Sequence, residues 1–296
     1  MRILVTGREG QIARALIEVG GDTDHEIITV GRPELDLGAE PSQIHETLRA
    51  ARPDVIVSAA AYTAVDLAES EPTEAFAVNA KGAHSVARSA RSLGVPLIHL
   101  STDYVFDGAK RDPYLEEDPT NPRTVYGASK LAGEQLVLAA HGDSVILRTA
   151  WVFSPFGNNF VRSMLRLAGN RDDVGVVDDQ RGCPTSALDL SVAILKIAAR
   201  LRSDRDDSLR GVFHLTNSGE ASWAGLAKAV FAASQRSGGP FAVVHPIGTA
   251  NYPTPAPRPA NSRLDCDLVN ARYGIVLGPW RNAVDAVVDR LVRTAI

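Results

Sequence analysis

Residues 1–13 read Met1-Arg2-Ile3-Leu4-Val5-Thr6-Gly7-Arg8-Glu9-Gly10-Gln11-Ile12-Ala13. A short apolar run ends at a glycine, a second glycine follows three residues on, and residues 11–19 then place apolar side chains near a 3.6-residue period. That pattern predicts a strand, a tight turn and a helix. Gly7 and Gly10 permit the turn and a close backbone approach, and the small Ala13 lets the helix pack onto the strand. The helix N-terminus then faces outward with free N–H groups, an arrangement suited to a pyrophosphate. The spacing is GxxGxxA, and its position between strand and helix predicts dinucleotide binding.

The same alternation continues outward. Apolar runs recur at 26–30, 54–61, 96–101 and 145–149, and helical periodicity fills 74–93, with Pro41-Ser42 as a further helix start. Continuous apolar runs bounded by turns suit strands buried on both faces of a parallel sheet. The predicted fold class is therefore α/β, a Rossmann-like doubly wound parallel sheet, with a second, smaller α/β substrate domain. Residues 1–150 form the expected dinucleotide-binding domain, with a returning segment near 175–200, and residues 151–296 are mainly the substrate domain. Within the latter, 202–210 is charge-dense and reads as an exposed loop. Five prolines between 246 and 259 read as a rigid loop, and two helices are expected near 265–273 and 280–294.

Composition narrows the function classes. The chain has 296 residues, 45% hydrophobic and 22% charged, which is ordinary globular usage. Such a length buries enough surface to need no disulfide or structural metal. A net charge of −4 argues against a general nucleic-acid binder. Cys183 and Cys266 make no CxxC pair, and the seven histidines show no HExxH spacing, so no metal site is expected. The run Ile3-Leu4-Val5 is too short for a signal-peptide core, and the uncharged stretch 237–257 is broken by prolines. A cytoplasmic protein without membrane contact is the expectation.

Three further stretches carry chemistry. The second apolar run ends in Gly31-Arg32 with no acidic residue at hand. A carboxylate there would suit the ribose 2′-hydroxyl of NAD, whereas Arg32 suits a 2′-phosphate, which favours NADPH, with NADH open as an alternative. Asp36 and Leu37 follow, placed to border an adenine. Tyr126-Gly127-Ala128-Ser129-Lys130 puts a tyrosine and a lysine on one helix face, in a chain with six tyrosines and five lysines, where chance supplies about 0.1 such pairs. An ammonium beside a phenol favours the phenolate and brings it toward working pH, which predicts proton exchange with a carbonyl or alcohol. Ser101-Thr102-Asp103-Tyr104 closes the fourth run at the carboxyl end of a strand, where a hydroxyl meets a ligand's reacting oxygen.

With these motifs the chain resembles the extended short-chain dehydrogenase/reductases, and within them the dTDP-4-dehydrorhamnose reductase family. The resemblance rests on AAAYTAVD (59–66), STDYVFDG (101–108), YGASKLAGE (126–134), RTAWVF (148–153), DQRGCPT (179–185) and PRPANSRL (257–264), which span nearly the whole chain. It implies NADPH-dependent reduction of the C4 ketone of dTDP-6-deoxy-L-lyxo-4-hexulose to dTDP-L-rhamnose. Tyr126 would donate the proton, Lys130 would tune it and hold the nicotinamide ribose, and Thr102 would hydrogen-bond the substrate. Gly7, Gly10, Gln11, Ile12, Arg32, Asp36, Leu37, Ala61, Tyr62 and Thr63 fall on the cofactor stretches. Thr102, Asp103 and Trp151 fall on the sugar-nucleotide stretches, with Trp151 expected to lay a ring face on the deoxysugar. Asn158, Asn159 and Arg258 fall toward the nucleotide end.

Two alternatives stay open. A 4-ketosugar epimerase or dehydratase shares the fold and the tyrosine–lysine pair, although dehydratases follow the threonine with Asp-Glu and here the residues are Asp103-Tyr104. A regulatory subunit would bind dinucleotide without turnover. Some members of the resembled family form a magnesium-bridged dimer through two acidic positions. Those positions are Ala15 and Leu188 here, with Asp189 adjacent, so the expectation is a monomer or a dimer without that bridge.

Overall fold

Along the first strand, Ile3 and Val5 point to one face of a sheet and Leu4 to the other, and all three are fully buried. The computed structural model, which describes residues 1–294, repeats this rule in each central strand. The strands are β1 (Arg2–Thr6), β2 (Glu26–Val30), β3 (Val55–Ser58), β4 (Leu97–Thr102) and β5 (Ser144–Thr149), joined by an outer strand, Gly211–His214. They form one parallel sheet in the order β2-β1-β3-β4-β5-outer strand. The order reverses between β1 and β3, so the crevice beyond their carboxyl ends is the expected ligand position.

Each face is covered by helices. On one side Val57, Ile98 and Leu147 pack against Leu16 of α1 (Gln11–Gly20) and against Leu190, Ile194 and Ile197 of the helix Ala187–Ser203. On the other, Ile56, Leu97 and Ile146 meet Ile44 and Leu48 of the helix Pro41–Ala50, and Val86 and Ala90 of the helix Ala83–Leu93. Each fully buried Ile or Leu contributes about 1.5–3 kcal/mol. The chain thus builds a two-faced Rossmann-like core, as its apolar runs predict.

Three boundaries depart from the sequence expectation. The third strand stops at Ser58 rather than reaching Ala61. The Thr6 hydroxyl accepts from both the Ala59 and Ala60 N–H groups at 3.1 Å and turns the backbone out of the sheet. The helical stretch 74–93 is broken by a π-helical turn, Ala77–Gly82. The return to the first core begins within 175–200 and extends beyond it. Residues Asp173–Val177 pair with Val243–Ile247 in a separate two-stranded sheet, and the returning elements are the helix 187–203 and the strand 211–214. A separate apolar cluster joins Phe153 and Val161 to Leu226 and Val230 of the helix Trp223–Arg236 and to Val284 and Val288 of the helix Trp280–Thr294.

Ala15 is fully buried against Phe156 and Ala187, with Leu188 alongside. Asp189 accepts a 2.6 Å hydrogen bond from Asn217 Nδ2. Neither Ala15 nor Leu188 offers a donor atom, and among the described residues no three His, Cys, Asp or Glu side chains are grouped to hold a metal ion. Nor is any described helix long and apolar enough to cross a membrane.

Candidate active site

A cleft of about 740 Å³ opens at the point where the strand order reverses, and it runs from the glycine turn to residues of the second apolar cluster. Its floor begins at Gly7, whose φ of +98° lies in the region that favours glycine and whose Cα faces Ala60. Gly10 precedes α1 in extended conformation, no side chain caps that helix, and no acidic residue occupies its first turn. The first N–H groups are therefore free for an anion.

The expected cofactor residues divide into two sets. Gly7, Gly10, Gln11, Ile12 and Arg32 line the cleft, as do Asp36, Leu37, Ala61 and Thr63. Arg8, which the sequence does not single out, lines it too and forms an exposed 2.9 Å ion pair with Glu34. Gln11 holds the wall together: its amide oxygen accepts from Ser154 Oγ at 2.7 Å and Asn159 Nδ2 at 3.0 Å. Tyr62 stands apart. Its hydroxyl donates to Glu71 at 2.7 Å, and its backbone is held at both ends by the Asn79 amide, at 2.8 and 3.0 Å.

The reacting end is built by β4 and the helix Val125–Ala140. Thr124 caps that helix, its hydroxyl accepting from Gly127 N at 3.0 Å, and the Glu69 carboxylate accepts from Val125 N at 2.9 Å. Two glycines in the helix cost about 1 kcal/mol each against alanine. They are required because a Cβ at Gly127 would collide with the Tyr104 carbonyl and one at Gly133 with the Asn79 carbonyl. The helix is thereby pressed onto the loop that carries Thr102 and Asp103. Asn79, in the π-helical turn, also donates to Ser129 Oγ at 2.9 Å, and Ser129 lies between Tyr126 and Lys130 in sequence. Beneath them Arg148 of β5 forks onto Glu134 with bonds of 2.7 and 3.0 Å, and Ser101 Oγ donates to the same carboxylate. This buried pair ties two strand ends to the helix.

Tyr126, Thr102 and Asp103 line the cleft. Burial pushes the Tyr126 phenol up to about 12, with Thr102 working in the opposite direction. The Lys130 side chain, 3% exposed, lies outside the cleft lining, and its ammonium donates to the Leu100 carbonyl at 2.6 Å, with His99 Nε2 at 3.4 Å. Desolvation dominates, and Tyr126 is held as a neutral phenol. Burial lowers Lys130 to about 8, opposed by Glu134. Asp103, 3% exposed, is raised to about 7 by burial, and its Oδ2 has no hydrogen-bond partner.

Trp151 and Asn158 reach the cleft from the second half of the chain, together with Trp223, which the sequence analysis missed. Trp151 adopts φ +48°, a strained conformation for a side chain of that size. Its ring stacks on Trp223 with centroids 3.6 Å apart and an interplanar angle of 9°, and its Nε1 donates to Ser262 Oγ at 3.1 Å. One face of Trp151 is thus covered by Trp223 and is closed to a sugar. Asn159 does not line the cleft. Its amide caps the helix Phe160–Ala168 through Arg162 N at 3.1 Å and bonds Gln11. Arg258 lines a smaller adjoining cavity of about 250 Å³ and pairs with Asp66 at 2.6 Å.

A family profile described as RmlD substrate binding domain matches residues 1–293. A dTDP-4-dehydrorhamnose reductase of Sinorhizobium fredii is 55% identical over 292 residues, covering 99% of this chain and 98% of that one. Among solved structures, a dTDP-4-dehydrorhamnose reductase from Clostridium acetobutylicum superposes with a TM-score of 0.90 at 34% identity, covering 98% and 99% of the two chains. One from Bacillus anthracis, in complex with NADP, gives 0.89 at 34% identity over 97% and 98%.

Proposed function

The chain belongs to the dTDP-4-dehydrorhamnose reductase family, and from that premise we propose that it reduces the C4 ketone of dTDP-6-deoxy-L-lyxo-4-hexulose to the alcohol of dTDP-L-rhamnose, with NADPH as the reductant. The observation that carries the reading is Tyr126, a half-buried neutral phenol beside Thr102 on the wall of a cleft that starts at the glycine turn. A reduction consumes a hydride and a proton. When bound, NADPH supplies the hydride at the substrate carbon. Tyr126 gives its proton to the carbonyl oxygen as the C–O π bond opens, and the phenolate recovers one from solvent. A phenol held near 12 is fully protonated at neutral pH and so stands ready as the donor.

The remaining residues serve placement. The free N–H groups of α1 would receive the cofactor pyrophosphate, and Arg8 and Arg32, which line the same cleft, would be available to a 2′-phosphate. Thr102 and Asp103 face the ketone and its neighbouring hydroxyls, and Trp223, Asn158 and the cavity beside Arg258 bound the nucleotide portion. Lys130, behind the cleft wall with two of its hydrogens on Leu100 and His99, would offer its remaining N–H to the nicotinamide ribose of the bound cofactor. Tyr104 occupies the position after Asp103, its ring meeting Tyr126 edge-on at 5.6 Å, so no second carboxylic acid is supplied there; this supports reduction over elimination of water. Ala15 and Leu188 support a monomer or a dimer without a magnesium bridge, and the reading places the protein in the cytoplasm.

The direct test mixes the purified protein with the keto-sugar nucleotide and follows NADPH loss. Stoichiometric conversion to dTDP-L-rhamnose is expected. Tightly retained NAD and no net oxidation would replace this reading with an epimerase, and binding without turnover would replace it with a regulatory subunit.

A further inference from the structure

Ser58 and His99 sit opposite each other in the register of β3 and β4, at the last residue of β3. They share the sheet face whose preceding positions are Ile56 and Leu97, packed in an apolar cluster under the helices. Two polar side chains, each 1% exposed, replace that apolar row at its edge. A buried imidazole costs free energy unless both ring nitrogens are satisfied. Here Nδ1 lies 3.1 Å from Ser58 Oγ and Nε2 lies 3.4 Å from Lys130 Nζ.

The chemistry fixes the tautomer. An ammonium only donates, so Nε2 offers its lone pair and the proton resides on Nδ1, where it is donated to Ser58. Lys130 then spends one hydrogen on the Leu100 carbonyl at 2.6 Å and one on His99. A single hydrogen remains. We propose that His99 is a positioning residue for Lys130: with Ser58 behind it, the ring holds the ammonium in one rotation and leaves one N–H for the bound cofactor. A leucine or phenylalanine would fill the volume without the polar cost, so what the histidine adds is its acceptor.

The groups around the ammonium come from four elements. Tyr126 and Glu134 lie one turn before and after it on the same helix, and Glu134 favours the charged form. Arg148 arrives from β5 but is bound to Glu134. His99 and the Leu100 carbonyl belong to β4, with Asp103 just beyond its end, and Ser58 belongs to β3. His99 is held neutral by burial and by the lysine itself, so it adds no charge of its own. Its loss removes an acceptor that favours the ammonium, and the lysine should deprotonate at lower pH.

The proposal rests on the reading that Lys130 serves the cofactor, and its test is independent of which sugar is reduced. NADPH affinity is titrated from pH 6 to 10 by tryptophan fluorescence for wild type, His99→Leu, His99→Gln and Ser58→Ala, with folding checked by circular dichroism. In His99→Leu the alkaline loss of affinity should move about half to one pH unit lower. Glutamine, which supplies an amide oxygen, should restore most of it, and Ser58→Ala should shift it less in the same direction. A folded His99→Leu with the wild-type alkaline limb overturns the proposal. Should that variant not fold, an unshifted limb in Ser58→Ala overturns it, whereas a shift there with recovery in His99→Gln sustains it. Wild-type NADPH binding without turnover of the keto-sugar nucleotide defeats the reductase reading alone.

Discussion

Thr102 Oγ1 donates a 3.0 Å hydrogen bond to Asp103 Oδ1, its neighbour in the chain. The hydroxyl has one proton, so in this arrangement it is committed to the carboxylate and accepts from Tyr104 N at 3.2 Å. Thr102 therefore meets an incoming carbonyl only by turning its proton away from Asp103. Asp103 tolerates that exchange best when protonated, and burial raises it to about 7.

That shift has a stability consequence. The folded carboxyl titrates near 7 and its ordinary value is 3.8. Between those values the folded state binds more protons, so the contribution is full below about 4 and is lost as pH rises through 7. Asp103→Asn should remove the loss. Its unfolding free energy relative to wild type should improve by a few kcal/mol at most between pH 5 and 8. Parallel urea titrations at the two pH values check this, and an unchanged difference would refute it.

Tyr126→Phe should lower turnover by about 10² or more with NADPH affinity retained, because the ring stays and only the donated proton is lost. Steady-state rates paired with a binding titration decide. Near-normal turnover would remove Tyr126 from the reaction.

Lys130 titrates near 8 against an ordinary 10.5, so the unfolded chain binds more protons in that window and stability should rise with pH across it. Lys130→Met should abolish that rise, weaken NADPH and take away the alkaline limb of the rate. A limb that survives the substitution would assign it to another group.

Glu134 and Arg148 are both buried, and removing one leaves the other charge unpaired. Glu134→Ala should cost about 3–5 kcal/mol of unfolding free energy. A cost below about 1 kcal/mol, read from urea denaturation, would show that the pair is dispensable.

Trp223→Ala should uncover one face of Trp151 and enlarge the wall formed by the second half of the chain. KM for the sugar nucleotide should rise by about tenfold or more, with the NADPH constant nearly unchanged. Equal changes in both would place Trp223 on the cofactor side.

The parts of this molecule that were legible in the sequence are those whose physics is local. Ile3-Leu4-Val5 followed by Gly7 needs no distant partner to read as a buried strand and turn, and Tyr126 with Lys130 share a helix face by spacing alone. What escaped was set by distant contacts. Nothing near Asn79 announces that its amide will hold Tyr62 and Ser129, and Trp223 enters the cleft only because a helix far along the chain stacks it on Trp151. The anchoring of Lys130 escaped for the same reason, since its ammonium is held by the Leu100 carbonyl, a contact that spacing does not reveal.

The outer strand Gly211–His214 completes a sheet begun some 200 residues earlier, lying against β5. A gene truncated after residue 150 would leave β5 with an open edge of unpaired amides and the sheet without its covering helix 187–203. Replacing the later half with one of unrelated fold must therefore keep residues 187–214 with the first half. A single fusion point near 150 should yield insoluble chimeras, and the same threading makes separate expression of the two portions a complementation experiment rather than a dissection.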